Sequence, residues 1–176
     1  MKTRKCPLDG ILLIEPAVYA DSRGFFLETY EQERYRALGI VEEFVQDNHS
    51  RSARNVIRGL HFTKTKPQAQ ILTVMRGKIF DVVVDMRRDS STFGRWYGTE
   101  LFDDGTRQIY MPHGFAHGFC VLSEYADLHY KVSQRYDQSD EGGLRWDDSD
   151  VGIQWPVQRP LISERDSRHP LFKELQ

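Results

Sequence analysis

The run Arg58-Gly59-Leu60-His61-Phe62 sets a guanidinium, a permissive backbone and an imidazole within a few residues. A neutral imidazole, with an ordinary pKa of about 6.5, takes up or returns a proton near working pH. His61 is therefore the first candidate for a general base, and Arg58 suits an anionic group beside it. Upstream, Gln46, Asn48, Ser50 and Ser52 alternate along one face of residues 44–52. Buried, such a row needs a ligand, water or mutual hydrogen bonds; on a solvent-facing strand it needs nothing. The pattern alone leaves both readings open.

These groups need a scaffold that turns them the same way. Arg58 and His61 are three residues apart, and a regular strand sends such residues to opposite faces. A bulge at Gly59 is expected to bring both inward. Around them the chain is rich in short β-like runs. Residues 10–19 form a strand broken at Pro16, and the Asp21-Ser22-Arg23-Gly24 turn leads into Phe25-Phe26-Leu27-Glu28. Thr29 and Gln32 have capping-box spacing ahead of a short helix over 31–38 that closes at Gly39. Ile71 to Met75 and Ile79 to Met86, joined by Arg76-Gly77-Lys78, predict a hairpin. Further strands are expected at 96–102, 107–111, 115–122 and 126–134, with turns at 89–91 and 103–106. A short helix is expected at 170–174. Such spacing argues a sandwich, barrel or jelly roll.

The 176 residues suffice for one domain, 1–176, with a core that needs no disulfides. The 24 basic and 26 acidic residues are interspersed, which leaves no footprint for nucleic acid or an anionic membrane. Cys6 and Cys120 are far apart in sequence, and the apolar stretch Gly10 to Ile14 is too short for a signal or membrane segment. A cytoplasmic protein is expected.

Pro112-His113-Gly114-Phe115-Ala116-His117 has the PxGxxH spacing of the second cupin motif, where the histidine is a metal ligand. The first motif would supply an HxH pair and a glutamate. Here Thr63 follows His61 at that spacing, and Gln70 stands seven residues before Gly77, so a metal-free cupin fits better. His117 is then either a ligand contact or a histidine satisfied in the core.

Longer motifs make the likeness specific. They include Asp21-Ser22-Arg23-Gly24-Phe25-Phe26-Leu27-Glu28, Gln46-x-Asn48-x-Ser50, Arg58-Gly59-Leu60-His61-Phe62, Phe80-Asp81-Val82-Val83-Val84-Asp85, Glu141-Gly142, Arg145-Trp146-Asp147-Asp148 and Ser163-x-Arg165-Asp166. Together with the histidine motif they resemble, over nearly the whole chain, the nucleotide-sugar epimerases typified by dTDP-4-dehydrorhamnose 3,5-epimerase.

The resemblance implies an all-β double-stranded β-helix, a cupin jelly roll with short peripheral helices, assembled as a homodimer and working without cofactor or metal. It implies that His61 is the base, that Asp166 orients it, and that Tyr130 is the acid on the other side of the sugar. Arg23, Arg58 and Arg165 match positions around the nucleotide diphosphate. Glu28, Gln46, Asn48, His117 and Glu141 match polar site positions, and Phe26 a stacking or lining position. Gln70 departs from the family, which usually has a lysine near the substrate's C4 oxygen. Losing one good oxyanion donor costs about 3 kcal/mol, and Lys64 and Lys66 are the nearby candidates to compensate. The implied reaction is epimerisation of a nucleotide-linked 4-keto-6-deoxy sugar, most directly dTDP-4-dehydro-6-deoxy-D-glucose to dTDP-4-dehydro-L-rhamnose, feeding polysaccharide or glycoside synthesis. The alternatives are epimerisation at C3 or C5 alone, a metal-dependent cupin oxygenase, or a non-catalytic sugar-nucleotide-binding module.

Overall fold

A computed structural model describes residues 1–103 and 107–175. The turn expected at 103–106 lies, apart from Asp103, outside the described residues. Two antiparallel sheets face each other. The first has six strands in the order β1 (Lys2–Lys5), β2 (Leu12–Glu15), β10 (Gln108–Met111), β7 (Gln70–Arg76), β12 (Tyr125–Val132) and β5 (Gln46–Ala53). The second has five: β13 (Glu141–Gly143), β6 (Ile57–Thr63), β11 (Phe115–Val121), β8 (Lys78–Asp85) and β9 (Trp96–Phe102). A separate hairpin, β3 (Val18–Asp21) with β4 (Gly24–Leu27), stands apart from both. The architecture is the expected jelly roll.

The rows that point between the sheets change character along their length. Val74 and Leu72 on β7, Ala126 and Leu128 on β12, and Val121 and Phe119 on β11 are buried in one apolar cluster. The next inward positions are Gln70, Tyr130 and His117, which line a cleft. One end of the sandwich is thus closed by hydrophobic packing and the other is left polar. Both outer faces are also covered. Ile14, Ile71 and Tyr110 pack with Tyr35 and Ile40 of the helical segment, while Leu60, Val82, Val84 and Ala116 pack with Leu144, Val151 and Phe172. Burial on both faces explains why β8 reads as an almost continuous apolar run.

The hairpin expected over 71–86 does not form. β7 pairs with β10 and β12, whereas β8 pairs with β11 and β9. Gly77, at φ +85°, turns the chain from one sheet to the other; a Cβ there would lie 2.2 Å from the Tyr125 carbonyl oxygen. Leu72 and Val74 therefore meet Ile79 and Val83 across the core and not side by side. A tight turn between two β runs looks alike in both arrangements, so local pattern does not separate them. The helix is also shorter than expected, α1 (Gln32–Arg36). Its cap is Glu31, whose carboxylate accepts the Glu33 and Arg34 N–H groups at 3.1 and 2.8 Å. Thr29 is drawn elsewhere, its carbonyl accepting from Tyr35 Oη and Gln108 Nε2, each at 2.8 Å. At the C-terminal end, a single turn α2 (Glu164–Ser167), capped by Ser163, precedes a 3-10 turn at Phe172–Glu174.

The bulge at Gly59 is present. On the β6–β11 ladder, His61 opposes His117 and Arg58 opposes Phe119, so two residues of β6 face the single Gly118. Gly59 has φ +117°, and a Cβ on it would sit 2.6 Å from both Gly118 Cα and the His117 carbonyl oxygen. We expect Gly59→Ala to lower stability by about 2–4 kcal/mol, from left-handed strain plus a backbone clash. Urea denaturation measures it; an unchanged midpoint would mean that the bulge relaxes freely.

Candidate active site

The polar end of the sandwich is a cleft of about 430 Å³, a size that accommodates a small ligand. The first sheet contributes Gln46, Asn48 and Ser50 from β5, Gln70 from β7 and Tyr130 from β12. The alternating polar row of β5 thus faces the cleft, while Asp47, His49 and Arg51 between them are exposed. From the second sheet come Arg58 and His61 on β6, His117 on β11 and Glu141 on β13. Arg165 closes the rim from α2.

His61 and Tyr130 stand on opposite walls. His61 Nε2 hydrogen-bonds Asp166 Oδ1 at 2.9 Å, and the other carboxylate oxygen accepts the Gly59 N–H at 3.1 Å. Asp166 is only 3% exposed. Burial pushes its carboxyl up, but the His61 ring, the Gly59 N–H and the Ser163 hydroxyl together hold it well below the usual carboxylate range. It is therefore an anion, and the imidazole nitrogen facing it carries the proton. Nδ1, the nitrogen left for a substrate, lies 3.8 Å from Glu141 Oε1. Across the cleft, burial raises the Tyr130 phenol above its ordinary value, with Arg58 opposing and Glu141 adding to the rise. Tyr130 stays protonated and able to donate.

His117 has a carboxylate of its own. Its Nε2 is 2.8 Å from Oδ2 of Asp81, which is completely buried. The cleft thus contains two histidine–aspartate pairs, with His61 and His117 directly opposite on adjacent strands. Gln70 donates to Gln68 Oε1 at 3.1 Å, which places two neutral amides where the family resemblance led us to expect a cation. Neither Lys64 nor Lys66 lines the cleft; Lys66 instead pairs with Asp137 at 2.5 Å. The arginines that line the cleft are Arg58 and Arg165.

Three of the expected site residues are not brought to the cleft of their own chain. Arg23 sits in the β3–β4 turn, ion-paired to Asp21 at 2.6 Å. Phe26 is 68% exposed on β4, and Glu28 pairs with Arg34 at 3.2 Å. Conversely, Gln68 and Tyr136 line the cleft without having been singled out in the sequence. Gln68 repeats the alternation of Gln70, a signal that was available. Tyr136 lies in a loop, its hydroxyl donating to Glu141 at 3.0 Å, and carried none.

His61, Asp166 and His169 offer donor atoms within 4.8 Å of one another, a set that suits a divalent transition metal by type. The Arg165 guanidinium, however, lies 3.3 Å from His61 Nε2 and 3.5 Å from Asp166 Oδ1. The charge of that guanidinium would repel a metal cation bound there.

Because the folded Asp166 carboxyl titrates below its unfolded value of about 3.9, it stabilises the fold above that pH and loses this contribution as pH falls through the folded value. Asp166→Asn should therefore narrow the difference in stability between about pH 7 and about pH 3. Urea denaturation at the two pH values checks this; an unchanged difference contradicts the assignment of Asp166 as a stabilising anion.

The family model described as dTDP-4-dehydrorhamnose 3,5-epimerase matches residues 5–174. A protein of that name from Methanothermobacter thermautotrophicus is 46% identical over 173 residues, covering 97% of this chain and 94% of the relative. The dTDP-4-dehydrorhamnose 3-epimerase of Streptomyces niveus is 42% identical, covering 99% and 85%. Among solved structures, dTDP-6-deoxy-D-glucose-3,5-epimerase from Legionella pneumophila Philadelphia 1, in complex with dTDP-4-keto-L-rhamnose, superposes with a TM-score of 0.95. It is 40% identical, and the match covers 99% of this chain and 96% of that one. Matched from one end to the other by sequence and by fold, the chain belongs to the dTDP-4-dehydrorhamnose 3,5-epimerase family.

Proposed function

We propose that this chain epimerises dTDP-4-dehydro-6-deoxy-D-glucose to dTDP-4-dehydro-L-rhamnose, inverting C3 and C5 beside the C4 ketone. The observation that carries the reading is the placement of an anion-backed imidazole and a protonated phenol on opposite walls of one cleft. Inverting a carbon needs a proton taken from one face and another returned to the opposite face.

In the proposed sequence, His61 Nδ1 removes the proton α to the ketone while Nε2–H stays on Asp166, which stabilises the imidazolium that forms. The electron pair of the broken C–H bond moves onto the C4 oxygen. Arg58, the Gln70 amide and His117, itself held by Asp81, are the donors on hand for that oxygen. The enolate then collapses, and its carbon takes the Tyr130 hydroxyl proton on the opposite face. Exchange with solvent resets both residues, and the second carbon repeats the cycle. Arg58 and Arg165 suit bidentate contacts to the diphosphate.

The β3–β4 hairpin supports a homodimer with shared sites. It exposes Val18, Tyr19, Phe25 and Phe26, an apolar patch that is unfavourable in water, and it carries Arg23, which the family pattern assigns to the site. In our reading a second copy receives this hairpin over its cleft, so each site is completed by two chains. Free Cys6 and Cys120 suit a reducing compartment, and we place the enzyme in the cytoplasm. Among the described residues no helix is long and apolar enough to cross a membrane.

A second reading, inversion at one carbon only, is favoured by Gln70, since a neutral amide stabilises the enolate less than a lysine, and by the 3-epimerase named among the relatives. Turnover in heavy water separates the two: deuterium at C3 and C5 supports double inversion, deuterium at one carbon supports the narrower enzyme, and none rejects both. We expect His61→Ala to lower turnover by about 10²–10⁴-fold. Tyr130→Phe should retain deuterium exchange at C3 while losing net inversion; loss of both together would place Tyr130 elsewhere in the mechanism. Mixing inactive His61→Ala and Arg23→Ala chains should restore part of the activity, because one site of each mixed dimer is intact. Failure of hybrids that demonstrably form argues against the shared site.

A further inference from the structure

His169 follows α2 and takes no part in the reaction above. Its ring fills a niche that exists because residue 143 has no side chain: a Cβ on Gly143 would lie 2.1 Å from His169 Nδ1. Gly143 is itself the β13 partner of His61, so the niche opens directly behind the proposed base. The His169 ring stands edge-on to His61, with centroids 5.4 Å apart and planes at 84°. Its Nε2 is shielded from solvent and lacks a hydrogen-bond partner. That atom lies 3.6 Å from Asp166 Oδ1, the same oxygen that takes the 2.9 Å bond from His61. A buried polar atom without a partner calls for an explanation.

We propose that His169 is a positioning residue for the proposed base, sharing Asp166 Oδ1 with His61 so as to set how much of the carboxylate's charge the His61 ring receives. The catalytic consequence rests on the epimerase reading; the sharing itself does not. A nitrogen lone pair aimed at a carboxylate oxygen is repelled, so Nε2 of His169 carries its proton and its N–H dipole points toward Oδ1. The charged and titratable groups around the ring are His61 from β6, Glu141 from β13, and Asp166 and Arg165 from α2. Burial, then the His61 charge, keep His169 below the ordinary imidazole range, against the pull of Asp166 and Glu141. Two imidazolium rings beside Arg165 would set three cations against the two carboxylates Asp166 and Glu141. His169 therefore stays neutral, and its N–H draws off part of the carboxylate charge that favours protonation of the base. The device keeps His61 available as a base at lower pH than an unshared pair would.

The test is the pH profile of kcat/KM in two variants. H169F keeps an aromatic ring in the niche and removes the N–H; H169Q returns an N–H close to the Nε2 position. In H169F the acidic limb should move up by about half a pH unit, which is about threefold less activity on the acidic side. In H169Q the limb should stay at its wild-type place. An unmoved limb in H169F, or an equal movement in H169Q, overturns the proposal. NMR titration of the wild-type histidine rings gives a second answer that requires neither substrate nor a variant that folds. There, His61 should titrate while His169 remains neutral through the same range; independent titration of both rings overturns it. An absence of epimerase activity would sink the proposed function and leave this result to decide the sharing.

Discussion

The site depends on one buried carboxylate. Asp166 receives the Gly59 N–H on one oxygen and His61 Nε2 on the other, while its own N–H is held by the Ser163 hydroxyl at 3.0 Å. It therefore fastens three things at once: the bulged strand, the imidazole and the C-terminal turn that carries Arg165. Each is local and weak by itself, since α2 is a single turn and the bulge interrupts the ladder. Joined at a carboxylate shielded from water, they hold a fixed arrangement, because hydrogen bonds to a buried anion are among the stronger ones available.

That junction explains which parts of the molecule were legible in the sequence. The bulge followed from a stereochemical conflict between Arg58 and His61 together with an intervening glycine, and strands β9 to β12 followed from alternation and turn residues. The assignment of Gln46 and Asn48 to the cleft needed the family likeness as well, since the same alternation suits a solvent-facing strand. The Gly77 corner was misread because strand propensity and a tight turn say nothing about whether two runs lie in one sheet or in two. His169 escaped notice for a different reason. Its place depends on the missing side chain of Gly143, on another strand, and no local pattern links the two.

Arg23, Phe26 and Glu28 show the same limit from the other side. The family resemblance drew them to the site, yet their own chain leaves them on or beside the β3–β4 hairpin, away from its cleft. Within a single chain, the cleft has an imidazole and a phenol on facing walls, two arginines and a row of amides, with Phe62, Phe119 and Tyr136 also among its lining residues. With Gln70 in place of a lysine, the proposed enolate oxygen depends on Arg58 for charge and on the Gln70 amide and His117, held by Asp81, for hydrogen bonds.

In the proposed reaction one proton leaves toward His61 and another arrives from Tyr130 on the other face of the sugar. A crystal structure with a bound dTDP-4-keto sugar tests this most directly. His61 Nδ1 and the Tyr130 hydroxyl should stand on opposite faces of the ring, each about 3–3.5 Å from C3 or C5. A sugar lying with both side chains on one face, or with His61 turned away from its α carbons, would contradict it.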